Sequence, residues 1–258
     1  MMHRISQVLM LVCAAALVSL GAMPSQAQDK MQEKPPLYTY VAQWATPRAQ
    51  WPDMVKGEAS EKGLMDKLMA DGTIVSYGAF RTVVHTVDGP THGSWFSAMS
   101  MANLMKALSE LMASGASTGP ALEGSKHWDM IMSSTQYNGQ SGTFENSYLR
   151  VGNWTVKAGG GEAVEKFDKE IMVPTLEKLL ADGSIHAYQI DEETIHTGNP
   201  GSIDVVVLTN GAEGLDKFYA ALDAMGKTNG LADMAFGQAV DEASHRDSLS
   251  LVPSYTHK

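Results

Sequence analysis

From Leu37 to Pro253 the spacing of apolar positions changes several times, and each change marks an element. Leu37–Thr46 and Ser147–Lys157, rich in Tyr, Val, Trp and Thr, predict strands. Each is followed by a helical region closing on "KLMADG" or "KLLADG", where glycine takes the left-handed position that ends a helix. Pro52 and Pro174 predict irregularity in these helices, because proline past the first turn loses a hydrogen bond and clashes with the preceding turn. Long strands are expected at Thr73–Thr86 and Ser184–Thr197, then Gly- and Pro-containing turns and short strands at Ser94–Met99 and Ile203–Thr209. The clearest helices come next. Met101, Leu104, Met105, Leu108, Leu111 and Met112 recur at three- and four-residue spacing, as do Leu215, Phe218, Tyr219, Leu222 and Met225. Final strands at His127–Ser134 and His245–Val252 complete a β-α-β-β-α-β order, written twice.

The two writings are related in sequence. "KLMADGTIVSYGAFRTVVHT" from Lys67 and "KLLADGSIHAYQIDEETIHT" from Lys178 share nine of twenty residues at a shift of 111, where unrelated sequence gives roughly one. "YTYVAQW" at Tyr38–Trp44 faces "YLRVGNW" at Tyr148–Trp154, and "GPALEGSKHWD" faces "GQAVDEASHRD". The shift runs from 110 to 118 along the copies, as loop insertions produce. The repeats span residues 37–135 and 147–254, joined by the polar, Gly-containing segment 136–146 as a linker. An antiparallel sheet carrying helices on one face leaves the other face to be covered, and the other repeat is the available cover.

Residues 1–27 read as a cleavable signal peptide: His3 and Arg4, an apolar stretch from Val8 to Met23, and Ser25-Gln26-Ala27 as an A-x-A-like site. The apolar stretch is shorter than the roughly 20 residues that span a bilayer. Cleavage after Ala27 leaves a periplasmic or secreted chain of 231 residues, with a disordered start over 28–36 and no membrane contact. Cys13 leaves with the signal, which excludes disulfides, thiolate catalysis and Cys-ligated zinc. Loss of Arg4 moves the formal charge from −10 to −11, and an acidic chain without basic runs argues against nucleic acid as a partner.

A tandem pair of such units resembles the dimeric α+β barrel superfamily, which includes antibiotic-biosynthesis monooxygenase-like, EthD-like and stress-responsive barrel proteins. The resemblance covers Leu37 to about Pro253 and rests on topology and duplication. It implies an α+β fold in which two ferredoxin-like βαββαβ repeats face their sheets toward each other as an intramolecular pseudo-dimer. It also implies a small-molecule pocket between the sheets.

Side chains kept in both copies are the first candidates for chemistry. His85 pairs with His196, His127 with His245, Asp129 with Asp247, Tyr77 with Tyr188, and Trp44 with Trp154. Along unbroken strands, parity puts Tyr77, Arg81 and His85, with His186, Tyr188, Glu192 and His196, on the face opposite Ile74 and Ile185. That face is expected to look into the pocket, with Trp44 and Trp154 as aromatic walls. Three uses of the histidines are compatible with the sequence. They are satisfied structural groups, with each Asp orienting the His two positions earlier; or acid–base and ligand-positioning residues in the pocket; or, with the aspartates, a His/His/Asp site for iron or zinc. The expected function is an exported small-molecule-binding barrel, oxygenase- or isomerase-like if it is an enzyme. The competing class is a non-catalytic periplasmic ligand- or protein-binding protein. No cofactor is specified.

Overall fold

The computed structural model describes residues 34–84, 86, 88–115, 122–197 and 200–258. The segment 1–27 expected to be a signal peptide, most of the segment 28–36, and His85 lie outside these residues. The chain runs β1 (Leu37–Ala45), α1 (Trp51–Ala70), β2 (Ser76–Val84), β3 (His92–Ala98), α2 (Met101–Ala113), β4 (Lys126–Gly139) and β5 (Gly142–Val156). It continues through α3 (Gly161–Phe167), a π turn (Asp168–Met172), α4 (Val173–Ala181), β6 (Ile185–Glu193), β7 (Ser202–Thr209), α5 (Gly211–Thr228), α6 (Gly230–Ala239) and β8 (Val240–His257).

The eight strands close into an antiparallel barrel in the order β1-β3-β2-β8-β5-β7-β6-β4. Strands β4-β1-β3-β2 come from the first half of the chain and β8-β5-β7-β6 from the second, with seams at β2–β8 and β4–β6. The sheets expected to face each other as separate layers are therefore continuous at both edges. Closure leaves no row of unpaired backbone groups along a strand.

Helices cover the outside. Leu68, Ile74, Leu104 and Ala107 are fully buried where α1 and α2 lie against the first four strands. Leu176, Ile185, Val207 and Phe218 do the same under α4 and α5. A third apolar cluster, including Phe80, Leu149, Leu208, Val252 and Tyr255, fills part of the barrel interior.

Local chemistry explains the helix ends. Ser100 caps α2, its hydroxyl accepting from the Asn103 N–H at 3.2 Å. Gly72 and Gly183 follow α1 and α4 with φ of 78° and 76°, as the paired "ADG" predicts. Pro52 sits in the first turn of an unbroken α1, where its missing N–H costs nothing, so the irregularity expected there is absent. Pro174 instead follows the π turn, in which the Val173 N–H reaches back five residues to the Asp168 carbonyl.

Two sequence expectations change. Segment 136–146 is mostly strand, with Gln140 and Ser141 alone between β4 and β5. Helix α6, which the periodicity did not predict, lies between α5 and β8. The drift of the internal shift toward 118 comes instead from α5, 18 residues long against 13 in α2, and from the earlier start of β8. Among the described residues no helix is long and apolar enough to cross a membrane.

Candidate functional site

Alternation along the strands turns every second side chain into the barrel. Val41, Met130, Met132, Leu149 and Val206 point inward and bound a cavity of about 480 Å³, within the range of small-molecule sites. Aromatic rings fill one side of it: Trp95 stacks against Tyr255 at 5.9 Å between ring centres and tilts toward Phe80 at 6.1 Å. Gly78 makes room for this arrangement, since a Cβ there would stand 2.5 Å from the Trp95 ring.

Two carboxylates interrupt the apolar lining. Asp191 on β6 and Asp204 on β7 are direct register partners and both line the cavity. Burial, and then the Asp204 charge beside it, pushes the Asp191 carboxyl well above the usual carboxylate range. Burial raises Asp204 to about 6; the Asn153 amide, donating to it at 2.6 Å, opposes that rise, and Glu193 adds to it. Gln189, with its amide nitrogen turned to Asp191, donates to the two carboxylate oxygens at 3.3 and 3.2 Å and to Thr39 at 3.3 Å. Bonds of that length do not offset complete burial. Both carboxyls are thus raised, Asp191 from the more complete burial, which favours a shared proton on the pair.

In the internal alignment Asp191 corresponds to Phe80 and Asp204 to Gly93. A Cβ on Gly93 would meet the Phe80 ring at 2.2 Å, so the ring occupies the space that the carboxylates hold on the other side. The cavity has one acidic wall and one aromatic wall.

No protein-family model matches the sequence, and no curated protein matches it. Solved structures do. Two proteins named putative monooxygenases align over 87% of this chain, from Lactobacillus acidophilus NCFM (97% of its chain, 11% identity, TM-score 0.58) and Fusobacterium nucleatum (95%, 7%, 0.59). A chlorite dismutase mutant from Candidatus Nitrospira defluvii aligns over 84% of this chain and 90% of its own, with 13% identity and a TM-score of 0.52. What this chain shares with them is the fold, a closed antiparallel barrel with helices on its outside.

Within the α+β barrel, the residues chosen from the sequence occupy three places. Outside the barrel wall, His127 stacks on Trp44 (4.9 Å, 4°) and bonds Asp129 at 3.1 Å; His245 stacks on Trp154 (4.4 Å, 6°) and bonds Asp247 at 3.1 Å. Each Asp thus bonds the His two positions earlier, and each takes a second donor that differs between the two halves of the chain. Asp129 accepts from the Tyr40 hydroxyl, and Asp247 from Arg150 at 2.5 Å. The Arg150 guanidinium lies over Phe218 at 5.6 Å and across Gly152, where a Cβ would stand 2.3 Å from it. These half-exposed His-Asp pairs do not line the cavity, except that Asp247 reaches its mouth.

Tyr77, Arg81 and Tyr188 correct the parity expectation. Tyr77 packs in the helix-side cluster with Ile74, and Tyr188 with Ile185. The register of β6 slips between Ile185 and Ala187, and a slip of one residue exchanges the faces beyond it. Tyr188 donates to Glu177 of α4 at 2.6 Å and Tyr77 to Asp66 of α1 at 2.5 Å, so both tie strand to helix, although Tyr188 also borders the cavity. Arg81 is the register partner of His92, and burial followed by the Arg81 charge lowers His92 to about 4.

The third place is spread over the rim. His186 stacks on Phe144 at 4.0 Å, while Glu192 and His196 line a separate outer cavity. His127, His196 and His245 lie apart, and among the described residues no group of three or more His, Cys, Asp and Glu is arranged to hold a metal ion. Asp191 and Asp204 escaped the sequence reading. Their signal was Asp204 inside "SIDVVVLT", the carboxylate on the parity of Val206 and Leu208.

Proposed function

We propose that the chain is a fused pair of ferredoxin-like halves, exported by its N-terminal leader, that binds a small apolar organic molecule inside the barrel and moves a proton on it. The observation that carries this reading is the opposed Asp191–Asp204 pair in an otherwise largely apolar chamber. Asp191, held neutral, donates a hydrogen bond to a substrate carbonyl; Asp204, near its pKa at neutral pH, removes a proton from the adjacent carbon. The resulting enolate lies in a water-poor site, stabilised by the Asp191 O–H. Return of the proton to another carbon makes an isomerase. With dioxygen as co-reactant, the same electron-rich enolate is the species an oxygenase oxidises.

The neighbours named as monooxygenases, and one named anthrone oxidase-like (11% identity, TM-score 0.54), fit this class without assigning it. Of the paired residues, Asp247 enters the reading at the cavity mouth, with His245 as its positioning residue.

Anthrone, an aromatic ketone, is a suitable probe. In D2O the protein is expected to accelerate exchange of its acidic methylene hydrogens, followed by NMR. Asp204→Asn should lower that rate roughly a hundredfold while the ketone still binds. Leu208→Trp, which fills the chamber, should abolish binding. Undiminished binding in that variant sinks the proposal.

A further inference from the structure

A second cavity, of about 410 Å³, lies outside the barrel wall between α3, the π turn and strands β4, β6 and β7. Its titratable lining consists of Glu165, Asp168, Glu192, Glu193 and His196, and neither Lys nor Arg lines it. Asp168 is 96% buried, since its residual exposure is 4%, and among the described residues its carboxylate has no hydrogen-bond or ion-pair partner, while the acids Glu192 and Glu165 stand near it. Gln136, which also lines this cavity, has its Oε1 buried without a donor.

A buried carboxylate left alone is costly, and native structures seldom keep one without a partner. The fold has gone to some length to place it there. The π turn begins at Asp168, and turns of this kind concentrate at functional sites. Lys169, next in sequence, pairs with Glu165 at 2.6 Å and is not among the residues that line the cavity. Burial, then Glu192 and Glu165, raise Asp168 to about 7, as expected for a carboxyl awaiting a cation.

We propose that this outer cavity binds an organic ammonium ion, with its N–H groups on Asp168 and Gln136 and its second charge or alkyl body along Glu192, Glu193 and Val164. The site is independent of the chamber inside the barrel. A bare metal ion fits less well, because among the described residues no three ligating side chains converge. The missing elements are donors, and an alkylammonium supplies up to three on a tether of the cavity's length.

Calorimetric titration of the purified protein with 1,5-diaminopentane and spermidine tests this, with 1,5-pentanediol, Mg2+ and Ca2+ in separate arms. The amines are expected to bind and raise the melting temperature; the diol is not. Asp168→Asn should weaken amine binding at least roughly tenfold. Without amine, the same variant should melt higher than the parent, because it removes an uncompensated buried acid. Glu192→Gln, at an exposed position, should weaken binding by a smaller factor and leave the melting temperature without amine close to the parent's. The proposal is overturned if neither amine binds at millimolar concentration, or if Asp168→Asn binds as tightly as the parent. It is equally overturned if Asp191→Asn abolishes amine binding, which would place the ligand inside the barrel, or if Mg2+ or Ca2+ binds where the amines do not.

Discussion

At the scale of single residues, the side chains that set this molecule apart are those its two halves do not share. Asp191 and Asp204 stand where the first half has Phe80 and Gly93, and Arg150 stands where it has Tyr40. The raised carboxyls have a thermodynamic signature. A group whose folded pKa exceeds its unfolded value stabilises most at low pH and loses that contribution as pH rises through the folded pKa. For Asp204 the window runs from about 4, the unfolded value, to the folded value of about 6. The melting temperature is therefore expected to fall between these pH values. Asp204→Asn should flatten that slope and stabilise the protein above it by on the order of 2–3 kcal/mol, read by calorimetry across pH. Gly152→Ala makes a second case. Its methyl displaces a guanidinium held by Asp247, so a loss of roughly 1–3 kcal/mol is expected in denaturant titrations. Comparison of the two halves picked out the His127–Asp129 and His245–Asp247 pairs, which stand outside the cavity apart from Asp247, and passed over the acids within it, because matching positions reports what both halves retain. The inward carboxylate in "SIDVVVLT" was legible only as a departure from its neighbours.

At the scale of elements, periodicity and turn chemistry carried the order of strands and helices, and failed where a local irregularity reset the count. Ile185 and Tyr188 are three apart, yet both lie under the helices, since the slip near Ala187 absorbs one residue. Nothing in "SIHAYQ" announces that slip, because it is set by pairing with a strand remote in sequence. Helix α6 was hidden for a related reason: "GLADMAFGQA" lacks a clean apolar stripe. The redirected tyrosines become fasteners between layers. Tyr188 is nearly fully buried, and its Glu177 also accepts from Asn138 at 2.9 and 3.1 Å, so helix α4 is tied to the β4–β6 seam. Tyr188→Phe should cost about 1.5–3 kcal/mol, as expected for a buried bond to a charged group. Tyr77→Phe, bonded to exposed Asp66, should cost less than about 0.5 kcal/mol in the same assay.

At the scale of the whole molecule, stability is shared between the halves through their seams. β2 pairs with β8 and β4 with β6, and each half alone would expose two strand edges together with the inner apolar face. Cutting the chain between Gln140 and Ser141 is expected to give two fragments that stay unfolded apart and regain far-UV dichroism and a cooperative melt when mixed. Independent melting of either fragment would contradict this interdependence. The covalent link also has a chemical effect. A ring of two identical subunits repeats every substitution on the opposite wall, so acids added to one side confront acids on the other. Here both walls are encoded separately on one polypeptide. Two carboxylates could therefore arise on one flank while aromatic rings stayed on the other, so the chamber has a polar end and an apolar end.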